Sequence, residues 1–507
     1  MNRWLIVCVV VAIGIFISFS LAIGQSAEGS LNRGVPIASA PKGPEQETHR
    51  DVQVELGNIL PFWSVIPFIL ILLAIAIIPL VQGDWWESNL NKAVVSLLCS
   101  LPIISYLLWL GPLGQRALLE ILHDYYAFIT LLVALFTLSG GIHLEGNLKA
   151  SPVVNTVFLG LGALLASLIG TTGASMLLIR PLIKTNHERK KRAHIFIFFI
   201  FLVGNIGGSL LPFGDPPLFL GYLFGVPFFW TLRLWPIWLT EVGLLLIVFY
   251  IWDTWAHSKE GTEALRREAR EKKGLTVHGK KNLFLILGVL LSVIFFRDYT
   301  VNGVKLELAW MQQPSMILLI LASYILEHKR KERAHRDGHT QFKTGREHNQ
   351  FTFAAMVEVG LLFVGIFITM TPAICLLKAR GAETGVTQAW QFFWMSGGLS
   401  SFLDNAPTYA TYFALGEGVT QGLLASGAKL PVVTTGSGVI GEQILAAISL
   451  GSVFMGANSY IGNAPNFMIK SICEGAKVKM PNFFGYMAYS CLILVPSFLL
   501  IMYIYLW

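Results

Sequence analysis

Two aspartates stand out because of their neighbours. Asp215 lies in Gly214-Asp215-Pro216-Pro217, and Asp404 opens Asp404-Asn405-Ala406-Pro407-Thr408; both segments sit among strongly apolar residues. A carboxylate at membrane depth is costly and marks an ion path, a proton relay or a paired charge. Proline removes an amide donor and glycine admits unusual dihedrals, so each segment should interrupt a helix. Two further interruptions carry small hydroxyl and amide side chains, Gly170-Thr171-Thr172-Gly173-Ala174-Ser175 and Gly462-Asn463-Ala464-Pro465-Asn466. Unwound carbonyls and carboxylates suit a hard cation such as Na⁺. The amino ends of half-helices suit an anion instead. Aspartate is also a common helix cap, so each of the two reads either as a cap or as an ion ligand.

The elements that must position these residues are membrane spans. The chain of 507 residues is 54% hydrophobic and only 13% charged, against about a quarter charged in soluble proteins. Apolar stretches of the length a spanning helix needs recur at Pro61–Val81, Ala93–Leu110, Tyr125–Ile142, Ala193–Pro212, Trp235–Trp252, Leu308–Leu326, Ala354–Leu376 and Phe483–Trp507. A soluble core does not bury that many separate spans. The net charge of +7 is concentrated in short loops between spans, so it reports topology rather than nucleic-acid binding. Cys8, Cys99, Cys375, Cys473 and Cys491 show no metal or disulfide spacing. Residues 1–24 read as a signal peptide or first transmembrane segment, and residues 25–60 as a disordered extracytoplasmic segment.

Loop charges set the orientation. Residues 184–193, 254–281 and 328–350 carry five, eight and seven Lys/Arg against one, four and three acids. The positive-inside rule makes all three cytoplasmic. Ala193–Trp230 is about twice a normal span and is broken near Pro212–Pro217. Irregular backbone at that depth is tolerated only around a protein-lined cavity. The four interruptions come in the same order in two halves, about 233 residues apart between the first pair. The first half enters from outside and the second from inside, so the repeats are inverted. That arrangement predicts secondary transport with a site at the midplane. The expected fold is an all-α, polytopic integral membrane protein with inverted repeats, re-entrant hairpins and two interrupted helices. Its expected regions are N-terminal scaffold helices over 61–123, a transport repeat over 124–253, cytoplasmic loops and a linking helical hairpin over 254–353, and a second transport repeat over 354–507.

Asn405, Thr408, Asn463 and Asn466 are expected to line one ion site with Thr171 and Thr172, with Na⁺ held by Asp404, Asn405 and Asn463. If Asp215 and Asp404 meet at the midplane they titrate as a coupled pair, and Na⁺ binding expels a proton. Arg180 is an inner anchor or a counter-charge for an anion. His143 and Glu145 fall near a cytoplasmic end. Glu241, Glu358, Glu417 and Glu442 are interface residues, caps or proton-relay members. The basic stretch Ala264–Lys273 reads as a solvated amphipathic helix. A channel or intramembrane enzyme is a further class, and no Gly-x-x-x-x-Gly-Lys phosphate loop supports ATP-driven pumping.

At the four interruptions the sequence resembles the ion transporter superfamily, which includes citrate and dicarboxylate carriers, arsenite carriers and NhaD-type Na⁺/H⁺ antiporters. It is similar too to a group of citrate-carrier-like proteins within it. The resemblance implies hairpin tips at Thr171–Ser175 and Asp404–Thr408 and broken helices at Gly214–Pro217 and Gly462–Asn466. It thereby adds Gly173, Gly214, Pro217, Pro407 and Pro465 to the binding elements. Carboxylate carriers of the superfamily have Ser-Asn-Thr at both tips, and this chain does not. Its Asp-Asn-x-Pro-Thr form and Gly204-Asn205-Ile206-Gly207-Gly208 are closer to the antiporter and arsenite branches. The resemblance implies a sodium/proton antiporter first, a citrate or dicarboxylate symporter second. It further implies a homodimer in a bacterial inner membrane, with no cofactor beyond the transported Na⁺ and H⁺ and no nucleic-acid partner.

Overall fold

The computed structural model describes residues 44–260, 273–297, 299–301, 304–337 and 343–507. The expected signal segment 1–24 and nearly all of the basic stretch Ala264–Lys273 lie outside these residues. Nine helices among the described residues are long and apolar enough to cross a membrane, and the chain is an integral, multi-pass helical membrane protein.

Chain order gives the layout. Helix α1 is Pro44–Ile59, α2 Ile66–Val81, α3 Asn89–Trp109 and α4 Pro112–Gly140. Then come α5 Pro152–Ile169, α6 Thr171–Thr185, α7 Ala193–Leu202, α8 Pro216–Leu223 and α9 Trp235–Ser258. The linking pair is α10 Lys281–Phe295 and α11 Gln312–Arg336. The second half holds α12 Ala354–Arg380, α13 Ala389–Ser400, α14 Asn405–Ala425, α15 Glu442–Met455, α16 Ala464–Gly475 and α17 Phe483–Ile501.

The only strands among the described residues form three two-stranded antiparallel ribbons in the loops. Strand β1 (His143–Asn147) pairs with β2 (Lys273–His278), β3 (Tyr299–Val301) with β4 (Val304–Leu306), and β5 (Val432–Thr434) with β6 (Val439–Gly441). The β1–β2 ribbon joins the end of α4 to the segment before α10, which puts both on one side, the side that the positive-inside rule makes cytoplasmic.

Two sequence expectations are corrected. Residues 44–59, expected to be disordered, form α1, which packs on α12: Val52, Leu56 and Leu60 are buried with Ile368, Cys375 and Leu376. Gly57 lies so close to the Cys375 carbonyl that a Cβ there would clash. Polar composition hid a helix whose few apolar residues recur every fourth position. The boundary drawn at residue 123/124 falls inside α4, a continuous helix of 29 residues. Its first turns carry Gln115, Arg116 and Glu120, which masked the helix start.

The inverted repeats are explicit. With the basic loops placed inside by the positive-inside rule, α4 of the first descends, α5 and α6 form a hairpin from the cytoplasmic side, α7 and α8 are two half-helices, and α9 returns. In the second, α12 ascends, α13 and α14 form a hairpin from the opposite side, α15 and α16 are half-helices, and α17 returns. The core between them is lined by α7, in which nine of ten residues are buried.

Candidate functional site

Each break has a local cause. The α7 helix unwinds at Val203, before the prolines that mark the break in sequence. There Asn205 donates its side-chain amide to the Ile200 carbonyl at 2.8 Å, which competes with the backbone ladder. A short 3₁₀ turn, Ile206–Leu210, follows, held by Ser167 of the hairpin: its hydroxyl donates to the Gly207 carbonyl and accepts from the Leu210 amide at 3.2 Å. Gly214 is required because a Cβ would strike the Gly208 carbonyl. The second break repeats this device. Ser400 and Ser401 of the hairpin donate to the carbonyls of Ser452 and Met455 at 2.6 and 3.2 Å. A Cβ on Gly462 would lie 2.6 Å from the Gly456 carbonyl. The Ser459 hydroxyl accepts from the amides of Ile461 and Gly462, both at 3.2 Å.

The half-helices restart identically. Asp215 caps α8 with φ −146° and ψ 145°, and Asn463 caps α16 with φ −152° and ψ 141°. Proline fills the first turn in both, as Pro216 and Pro217 or as Pro465, where a missing amide costs nothing. The hairpins also restart alike, Thr171 opening α6 after Gly170 at φ +83° and Asn405 opening α14 after Asp404. Thr171 is therefore the counterpart of Asn405, one residue beyond the pairing with Asp404 read from the sequence.

All four breaks converge on Asp215, which is 1% exposed. The Thr171 hydroxyl donates to its Oδ1 at 2.8 Å, and Asn463 Nδ2 donates to the same oxygen at 3.2 Å. Asn405 Nδ2 donates to Oδ2 at very short range. Among the described residues Asp215 has no cationic partner within ion-pair distance. The Oδ1 of Asn405 is buried and has no hydrogen-bond partner. Asn463 also donates to Asn205 Oδ1 at 3.1 Å, and Asn205 donates to Asn466 Oδ1 at 2.7 Å. Asn466 in turn donates to the carbonyls of Gly456 and Ser459, both at 2.8 Å.

Not every expected residue joins this cluster. Asp404 is half-buried and accepts from the Ala406 amide at 3.0 Å, the bond of a cap. Its carboxylate forms no hydrogen bond within the Asp215 cluster. Thr408 spends its hydroxyl on the Asp404 carbonyl at 3.0 Å. Gly173 is a packing position, where a Cβ would sit 3.0 Å from the Ser139 hydroxyl. Pro217, Pro407 and Pro465 are buried, and Thr172 is half-buried beside Thr171. Arg180 lies on α6 about 13 Å along the helix from Thr171. Asn205, quoted above within a motif shared with the antiporter branch, is the member of the cluster that the sequence reading does not assign to the site; an amide side chain between glycines in an apolar run is the available signal.

The other acids are occupied elsewhere. Glu241 accepts from Ser497 at 2.6 Å, and Glu417 pairs with Lys378 at 2.8 Å. Glu358 pairs with Lys92 at 2.8 Å, and Glu442 with Arg233. His143 meets Asn349 at 2.9 Å in the cytoplasmic ribbon region.

A buried carboxylate gathered by two hairpins and two broken helices is the candidate site, and it is built across inverted repeats. The family model described as "Putative citrate transport" matches residues 57–506. The chain belongs to that family. As a member of the citrate-transport family it is a membrane transporter, and the match spans both repeats and all four breaks. No curated protein matches the chain.

Proposed function

We propose that this member of the family is a sodium/proton antiporter in which Asp215 carries either a proton or, with its neighbours, a sodium ion. The observation that supports this is Asp215 itself: a fully buried carboxylate with no cationic partner among the described residues, touched by residues from the three other breaks. An unpaired charge in such a place is neutralised by a proton or by a bound cation. Asn405 Oδ1, an acceptor without a donor, lies beside that carboxylate and is the oxygen a hard cation would take. Asn463 and Thr171 would complete the ligands, with Asn466, Thr172 and Thr408 lining the site. Asp404, on the same hairpin, is a second carboxylate that a bound cation would satisfy.

The helix starts speak for a cation. Two of the four amino ends that could hold a carboxylate ligand already carry the protein's own carboxylates: Asp215 stands at the start of α8 and Asp404 caps α14. Prolines at the first two positions of α8 remove two amides that would otherwise hold an anion. A polycarboxylate would meet two like charges there. We place the antiporter, as a homodimer, in a bacterial inner membrane, with no catalytic step and no cofactor.

The second reading is a sodium- or proton-coupled citrate or dicarboxylate symporter, favoured by the family description. The two separate in proteoliposomes containing a pH dye, challenged in turn with Na⁺, Li⁺, K⁺ and citrate. Antiport predicts proton movement on adding Na⁺ alone. Proton movement that needs citrate would replace the antiporter by the symporter.

A further inference from the structure

A cavity of about 480 Å³ opens at the cytoplasmic ends of α10 and α11, at the opposite end of these helices from their outer β3–β4 connection. Five cations line it: Lys280, Lys281, Lys329, Arg330 and Arg333. Among the described residues Glu327 is the one acidic residue in the lining, and its carboxylate is taken by the buried Arg346. The described lining thus carries five cations against one carboxylate that is already paired.

Its floor is built rather than incidental. Arg346 donates to the Ser323 hydroxyl at 2.6 Å and to the Thr137 carbonyl of α4 at 3.1 Å. The Ser323 hydroxyl donates to Asn282 Oδ1 at 2.7 Å. These side chains are buried, so the floor is fixed while the cationic rim is exposed. The amino end of α10, a helix of 15 residues, opens on the same cavity and adds its partial positive charge. Below Lys280 and Lys281 the outer face of α10 exposes Phe284, Leu287 and Leu291, which places the cationic rim at the headgroup level of the inner leaflet.

We propose that this cavity binds a phosphate-bearing anion. Arginine forks match phosphate oxygens in pairs, and lysines add point charges around them. The phosphate can belong to an inner-leaflet phospholipid, whose chain would follow Phe284 and Leu287, or to a soluble phosphate. Either would tie α10 and α11 to the end of α4, the first helix of the transport repeat, through the Arg346 floor. The proposal is independent of which ion or solute is transported.

The test uses the purified full chain. Native mass spectrometry follows extraction from phosphatidylcholine vesicles with and without phosphatidylglycerol, and thermal unfolding is followed with added inorganic phosphate. The triple variant Lys281→Gln, Lys329→Gln, Arg333→Gln should bind at least about tenfold more weakly than wild type. A control with equal charge loss elsewhere on the cytoplasmic face, Lys190→Gln, Lys477→Gln, Lys479→Gln, should bind as wild type does. Retention of phosphatidylglycerol without a response to phosphate assigns the lipid headgroup, and the converse assigns a soluble phosphate. Equal loss in both triple variants, or no binding of either probe to wild type, overturns the proposal.

Discussion

Asp215 and Asn463 hold the same position in two inverted copies of one structure, and their side chains touch. Each caps the second half of a broken helix, with backbone dihedrals that agree within 6° in φ and 4° in ψ. Asn463 Nδ2 reaches Asp215 Oδ1 at 3.2 Å. Symmetry places the two positions face to face, and the Asp/Asn difference makes the pair asymmetric: one residue can ionise and the other donates a hydrogen bond to it.

That asymmetry yields a first prediction. Asn463→Asp should place two carboxylates in contact, which cannot both stay charged in a buried site without a cation. The variant should fold with more dependence on Na⁺ than wild type. The check is the melting temperature of detergent-purified protein with Na⁺ and with choline. An equal shift in both salts would mean that no cation enters between these positions.

Gly214→Ala and Gly462→Ala should each close the tight turn of a break. The added Cβ strikes the Gly208 carbonyl in one case and the Gly456 carbonyl in the other. Backbone cannot yield as a side-chain tip can, so each should cost about 1–3 kcal/mol or more. Thermal unfolding measures it, and Gly243→Ala inside α9, where a Cβ meets open space, is the control expected to lose no stability and to gain up to about 1 kcal/mol.

The spans and all four breaks are legible in the sequence because hydropathy and Gly/Pro clusters act locally. What stayed hidden depends on distance in space. Nothing near Asn205 indicates that its amide would meet Asn463 and Asn466, some 260 residues away. The two aspartates looked equivalent because both sit in breaks. Only the fold separates Asp215, which points into the cluster, from Asp404, which turns to the Ala406 amide. Helix α1 was missed because its polar composition outweighs its buried stripe.

Lys378 links three elements near the outer ends of α12 and α14. Its ammonium pairs with Glu417 at 2.8 Å and donates to Gln53 of α1 at 2.7 Å and to Ser437 at 2.6 Å. Both charged side chains are buried. Lys378→Met alone should therefore destabilise by about 3–5 kcal/mol, because Glu417 is left uncompensated, whereas Lys378→Met with Glu417→Leu should cost far less. Equal losses in the single and double variants would refute the pairing as the cause.

The cytoplasmic histidines predict a pH response. Burial, and then the charge of His143, holds His348 below its ordinary value of 6.5. Its ring stacks on His143 at 4.7 Å, with His278, Glu145 and Lys343 also in range. A depressed histidine is protonated more readily when its segment is detached. The packing of Gly345–His348 is thus fully present above pH 6.5 and weakens as pH falls below it. Hydrogen exchange over this segment, corrected for intrinsic rate, should rise on acidification. His348→Gln should flatten that rise.

The last prediction separates the two aspartates. Asp215 receives side-chain donors from three other breaks, while Asp404 accepts a backbone amide at the start of its own helix. Asp215→Asn keeps the shape but removes the only charge in the cluster, so Na⁺-driven proton movement should fall to background. Asp404→Asn keeps a capping side chain, since asparagine caps about as well as aspartate, and Asp404→Ala should cost about 1 kcal/mol of stability. If Asp404 acts as cap alone, its Asn variant should transport normally. If it also holds the cation, that variant should keep wild-type stability yet show a weaker apparent affinity for Na⁺. Measured in proteoliposomes over a Na⁺ series, an Asp215→Asn variant that still exchanges Na⁺ for H⁺ at the wild-type rate would remove Asp215 from the coupling step. The antiport mechanism would then fail, whatever Asp404 does.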